Sequence, residues 1–191
     1  GALAALLLAL ADLHIDLSLV ELGFDGQSLR GTATGEWYRI VTSGFVHFGF
    51  IHIGFNMFLL YQLGNLLEPA LGRVRFALVY AASLLGGSAG VLLLSPNQLT
   101  AGASGAVFGL LGAAAVALHQ RGVNPFSTGI GTTILLNVII TFTLPGISIG
   151  GHVGGLVAGA IAGWFVSAPN WRKFPPAVTS GAPVAVAAVA L

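Results

Sequence analysis

From Pro69 to Leu191 the chain contains no Asp or Glu, and its only charged side chains there are Arg73, Arg75, Arg121, Arg172 and Lys173. A stretch of that length with so few charges cannot present an ordinary surface to water. The composition of the whole chain agrees: 55% of its 191 residues are hydrophobic and 7% charged, where a soluble domain carries about 25% charged residues. Its mean hydropathy is +0.92. A chain of this kind is read as living in a bilayer, where about 20 apolar residues in a helix cross about 30 Å of hydrocarbon.

Apolar windows fall at 1–11 (partial), 47–67, 74–95, 104–120, 128–145 and 150–168. The predicted fold is an all-α polytopic membrane bundle of six transmembrane helices, forming one domain over 1–173. The tail 174–191, "FPPAVTSGAPVAVAAVAL", is interrupted by prolines and reads as the start of a truncated seventh helix. The opening "GALAALLLALADL" has no initiating Met and no basic region, and is read as trimmed rather than as a signal peptide. Residues 12–44 form the one sizeable polar connection, and Trp37 and Tyr38 within it suit the membrane–water interface. A net charge of +1 gives no basis for nucleic-acid binding. Without cysteine there are no disulfides and no thiolate metal sites.

Charge orients the bundle. Arg73 and Arg75 lie in the second connection, Arg121 in the fourth, and Arg172 with Lys173 after the sixth segment, while the third and fifth connections carry no Lys or Arg. The positive-inside rule makes the even connections cytoplasmic. The first connection holds Arg30 and Arg39 with several carboxylates and is compatible with the outside. A multi-pass cell-membrane protein results, and the start of the fourth segment faces outward.

Polar groups at membrane depth are costly and mark function more often than chance. Ser104 in "TAGASGAVFG", His47, His52 and Asn56 in "HFGFIHIGFN", and His152 in "GISIGGHVGGLVAGAIAG" all fall toward the outer ends of their segments. Each alone has an ordinary reading as helix-to-helix glue. Together they lie at one depth and can converge. A serine at a helix N-terminus sits beside unpaired N–H groups, its own and that of Gly105, and at the positive end of the helix dipole, which suits a developing oxyanion. Gly102 leaves room for a substrate backbone. Ser104 needs a base, and His152 is the sole histidine after His119. Glycines beside His152, including Gly155 and Gly159, allow the sixth helix to approach the fourth at Gly105, Gly109 and Gly112. With no carboxylate on either helix, a Ser–His dyad is expected, leaving His52 and Asn56 to donate toward an oxyanion.

These residues resemble the rhomboid intramembrane serine proteases. The likeness runs from Glu36 to about Ala162. "GASG" followed by "AVFG" looks like the family's G-x-S-G, "GGHVGGLVAG" like its H-x-x-G-x-x-x-G, and "HFGFIHIGFN" like its H-x-x-x-x-H-x-x-x-N. The resemblance implies Ser104 as nucleophile, His152 as base, Gly155 and Gly159 at the helix contact, His52 and Asn56 at the oxyanion site, and His47 in support. "EWYR", from Glu36 to Arg39, resembles the family's interfacial first loop. Phe108 departs from the pattern: the position often holds Tyr, whose ring lies on the catalytic histidine. A phenyl ring keeps the stacking and loses the hydroxyl. The implied activity is cleavage of transmembrane segments of other membrane proteins, with no cofactor and no metal, and with the fifth segment and "LPGISIGG" as a mobile gate and cap.

Other readings weighed against this one are a transporter, a catalytically inactive rhomboid-like scaffold that binds transmembrane helices, and a metalloprotease. A transporter should show broken or charged helices at mid-membrane in repeated halves. A scaffold should have lost the Ser or the His. A metalloprotease should show H-E-x-x-H. The sequence has none of these features. Since the chain lacks cysteine, the topology is directly testable: a cysteine at Gln98 should react with an impermeant maleimide added outside intact cells, and one at Gly122 should not. The reverse pattern would move Ser104 to the cytoplasmic side.

Overall fold

A computed structural model describes residues 18–20, 23–24 and 28–167. The expected segment at 1–11, the acidic residues Asp12, Asp16, Glu21 and Asp25, and the tail from 174 lie outside the described residues. Helices dominate what remains. After a two-stranded antiparallel hairpin, β1 Gly23–Phe24 with β2 Leu29–Arg30, come α1 Arg39–Thr42, α2 Phe50–Leu71, α3 Arg73–Leu94, α4 Ser104–Gln120, α5 Ile130–Thr143 and α6 Ile149–Val166. By length and composition α2, α3 and α6 can each cross a membrane, while α4 and α5 are shorter apolar helices of 17 and 14 residues. The fifth helix is shorter than its 128–145 apolar window at both ends: Thr128 closes a 3-10 turn and Gly129 breaks it from α5, while Leu144 turns extended before Pro145.

Apolar side chains on α2 are sorted by depth in the bundle. Leu63, Leu67 and Leu71 enter a core with Val79 of α3, Val107, Leu110 and Leu111 of α4, and Val166 of α6. Near its start, Phe50 and Ile51 stand 95% and 89% exposed, and Phe55, Phe58 and Tyr61 are also exposed. In water such a face would be an aggregation liability; in lipid it costs nothing.

The centre of the bundle is built differently. Helices α3, α4 and α6 meet through glycine, so their backbones touch. A Cβ at Gly159 of α6 would collide with the backbone of Gly109 on α4, and one at Gly90 of α3 would collide with the Gly150 carbonyl of α6. Where side chains do stand at these contacts they include small ones, such as Ser83 against Gly109 and Ala158 against Gly86. Such contact replaces side-chain interlocking with backbone van der Waals packing, the way small residues join helices in lipid.

The first loop is strapped to this core. Leu19 exchanges backbone hydrogen bonds with Thr100 at 2.7 and 2.8 Å, and Gly102 N–H donates to the Ser43 carbonyl at 2.8 Å. Ser88 Oγ of α3 donates to the Ile40 carbonyl at 2.7 Å. The loop therefore fixes the segment that leads into α4. Glycine packing makes a sharp prediction: Gly159→Ala should lower the melting temperature in detergent by roughly 2–12 °C, as overpacking of about 1–3 kcal/mol would do. Gly64→Ala, whose new methyl meets nothing nearer than Phe76 at 3.9 Å, should not. Equal melts for the two variants would refute backbone contact between α4 and α6.

Candidate active site

Ser104 is the first residue of α4, and the chain reaches it through Gly102, whose φ of 126° is open to glycine and strained for other residues. Space closes Gly102 as well as conformation: a Cβ there would lie 2.7 Å from the His52 imidazole. The same short segment is held from the α1–α2 connection, where His47 Nε2 accepts the Ala103 N–H at 3.2 Å. His47 and His52 meet edge to face, with ring centroids 5.1 Å apart. Thus His47 bonds the backbone one residue before Ser104, and His52 packs on the residue before that.

His152 enters from α6, one turn after its N-cap Ser148, whose hydroxyl accepts the Gly151 N–H. Its Nε2 lies 2.8 Å from Ser104 Oγ. One face of the ring is covered by Phe108, stacked at 3.9 Å with the planes 17° apart. Gly155, one turn further along α6, lets the helix press onto the Gly105 carbonyl. The two helices that carry the pair therefore touch directly beneath it. Being in the first turn of α4, the N–H groups of Ser104 and Gly105 have no intrahelical acceptor.

These groups open on a cavity of about 330 Å³ whose walls include His52, Asn56, Ser104, Phe108 and His152, with Pro145, Gly146, Ile147 and Ser148 of the α5–α6 connection along another side. Asn56 is buried and gives one amide hydrogen to the His52 carbonyl of its own helix, at 2.9 Å. The remaining amide hydrogen can serve the cavity. Among the described residues no group of three or more His, Cys, Asp or Glu side chains gathers to hold a metal.

Sequence reasoning missed two neighbours. Thr141 of α5, buried, places Oγ1 2.7 Å from His152 Nδ1, and Asn137, one turn earlier, lines the cavity. The signal was a polar residue every four positions, Thr133, Asn137 and Thr141, along the fifth segment.

Glu36 and Arg39 do not reach the cavity. Glu36 accepts hydrogen bonds from Arg30 at 2.8 and 3.0 Å, from Arg39 Nε at 2.8 Å and from the Gly31 N–H at 2.7 Å. Arg39, 1% exposed, also donates to the Ser18 carbonyl at 2.8 Å. They brace the first loop.

A family model described as "Rhomboid domain" matches residues 34–169. Among curated proteins the chain is 38% identical over 141 residues to rhomboid protease GluP of Bacillus subtilis, covering 71% of this chain and 27% of that protein. It is 42% identical over 83 residues to the putative rhomboid protease YdcA of the same organism, covering 43% of this chain and 42% of YdcA. Over 131 residues it is 34% identical to rhomboid-like protease 1 of Toxoplasma gondii, covering 62% of this chain and 43% of that protein. The chain thus spans under half the length of these relatives.

The Glu36 cluster generates a pH prediction. Burial raises the carboxyl pKa, but hydrogen bonds from Arg39 and Arg30, the charge of Arg39 and the Gly31 N–H outweigh it and hold the group below the ordinary value of about 4.5. A carboxylate depressed by folding stabilises the fold above its ordinary pKa, and that contribution is lost as pH falls through the folded value. The melting temperature should therefore drop on acidification below about pH 4.5, and Glu36→Gln should melt lower at pH 7 with a weaker acid dependence. Parallel curves for the two proteins would show that the brace contributes nothing.

Proposed function

Because the chain belongs to the rhomboid family, a family of intramembrane proteases, we propose that it is a serine endopeptidase that uses a Ser104–His152 dyad to cleave transmembrane segments of other membrane proteins. The observation that carries this reading is the 2.8 Å contact between Ser104 Oγ and His152 Nε2 at the N-terminus of α4, facing a cavity. His152 takes the Ser104 proton as Oγ attacks a peptide carbonyl carbon; the C–N bond then breaks and His152 returns the proton to the leaving amine. Water, deprotonated by His152, hydrolyses the ester and restores Ser104. The backbone N–H groups of Ser104 and Gly105, with His52 and Asn56, serve the oxyanion.

A helical substrate shields its own peptide bonds, so the segment to be cut must unwind locally before it enters the cavity. The bundle is taken to hold six spans within 1–173, with the site toward the outer face of the cell membrane, a placement that the distribution of Arg and Lys supports.

A fluorophosphonate should label Ser104, and Ser104→Ala should abolish labelling without loss of folded protein. His152→Ala should remove nearly all cleavage of a reporter transmembrane substrate. Replacing Glu68 by Gln should leave turnover within about tenfold, about 1.4 kcal/mol in the barrier. Absence of labelling in a folded sample would favour the inactive scaffold. Loss of activity in the Glu68 variant with an unchanged melt would bring a carboxylate into the mechanism.

A further inference from the structure

His152 has a second nitrogen. Its partner is Thr141 Oγ1, at 2.7 Å, and the same oxygen lies 2.7 Å from the Asn137 carbonyl one turn back along α5. A threonine hydroxyl owns one hydrogen. Given to the Asn137 carbonyl, which has no hydrogen of its own to offer, it leaves Thr141 Oγ1 able only to accept, so the hydrogen between Thr141 and His152 must belong to Nδ1. In a neutral imidazole that assignment puts the lone pair on Nε2, the nitrogen facing Ser104.

Resting on the dyad reading, we infer that Thr141 is the positioning residue of the catalytic base: it accepts a hydrogen bond from His152 Nδ1–H and so sets the tautomer in which Nε2 can take the Ser104 proton. The ring is then held on three sides, by Ser104 at one nitrogen, Thr141 at the other and Phe108 across its face. When Nε2 accepts the proton, Thr141 also shares the charge of the imidazolium. It occupies the place that a carboxylate takes in a triad, and does so without a charge. One consequence is mechanical. The acceptor comes from α5, whereas the nucleophile and base come from α4 and α6, so the base is set only while the outer half of α5 lies against α6.

Three measurements on the full chain in detergent or proteoliposomes test this. First, 15N spectra of histidine-labelled parent protein, with the His152 signals assigned by their loss in His152→Ala, should show Nδ1 protonated and Nε2 unprotonated at neutral pH. A parent protein with the proton on Nε2 overturns the inference, whatever any variant does. Second, Thr141→Val, close in shape and without the hydroxyl, should lower kcat about 10- to 100-fold, part of the 10²–10⁴ that a positioned general base supplies, with KM within about twofold. The rate of fluorophosphonate labelling should fall in parallel, and the His152 signals should move toward the other tautomer. Third, Thr141→Ser, which restores the acceptor, should return kcat to within about threefold of the parent. A folded Thr141→Val protein with parental kcat and parental His152 signals also overturns it. The dyad reading fails separately, if the parent is not labelled at Ser104 or if Ser104→Ala still cleaves.

Discussion

Everything at the site depends on the contact of two backbones. Ser104 opens α4 and His152 lies in the first turn of α6, 48 positions apart in sequence. They can share a hydrogen only if α4 and α6 approach more closely than ordinary side chains permit. Glycine makes that approach available at Gly105 with Gly155 and at Gly109 with Gly159. An alanine at either α6 position would push the helices apart by some fraction of an ångström beside the 2.8 Å contact of Ser104 with His152. Under the proposed dyad such a displacement is expensive, since a shift of about 1 Å can cost about 10²-fold in rate. Stability and chemistry therefore share the same atoms along this interface.

The first loop solves a second problem that the helix contact leaves open. A helix N-terminus exposes its N–H groups, but their direction depends on the residues that precede the helix. Here the approach is fixed from three directions: Gly102 N–H on the Ser43 carbonyl, Ala103 N–H on His47, and Thr100 on Leu19. The loop is in turn held by the Glu36–Arg39 brace and by Ser88 from below. Polar residues far from the cavity thus act on it through the backbone. Arg39 is the extreme case: it is a fully buried cation, satisfied by Glu36 and by the Ser18 carbonyl, and such a group is kept buried only when its hydrogen bonds are complete.

Much of this was legible in the sequence, for identifiable reasons. Apolar windows locate α2, α3, α4 and α6 because bilayer thickness fixes helix length. Ser104, His52, Asn56 and His152 stand out because polar groups at depth are rare. Glycine spacing indicates which helices touch. Other features were not legible. That His47 grips the Ala103 N–H follows from how the α1–α2 connection folds back, which no periodicity encodes. That α5 is shorter than its apolar window follows from Gly129 at its start and an extended Leu144 before Pro145 at its end. Thr141 was overlooked because a hydroxyl in a hydrophobic segment usually bonds its own helix. It does so here, to Asn137, and the same bond is what fits it for His152.

A hydroxyl in place of a carboxylate also follows from the surroundings. An ionised Asp or Glu beside His152 would be buried at membrane depth, where each isolated charge is expensive and where breaking its pairing leaves that cost exposed. Were α5 to move away from α6, such a carboxylate would be left without a partner, and the movement would be opposed by the full electrostatic penalty. Thr141 carries no charge, and its one hydrogen stays with Asn137 whether or not His152 is in place. Separating α5 from α6 therefore strands no charge at His152 and breaks there one neutral hydrogen bond, worth about 1 kcal/mol net. In the proposed dyad the base is oriented less strongly than an acid would orient it, but no buried charge is stranded when the helix that orients it parts from its neighbour. That trade suits the proposed cleavage of transmembrane segments, in which a bulky chain has to enter a cavity walled in part by Asn137 and Ile140 of the same helix.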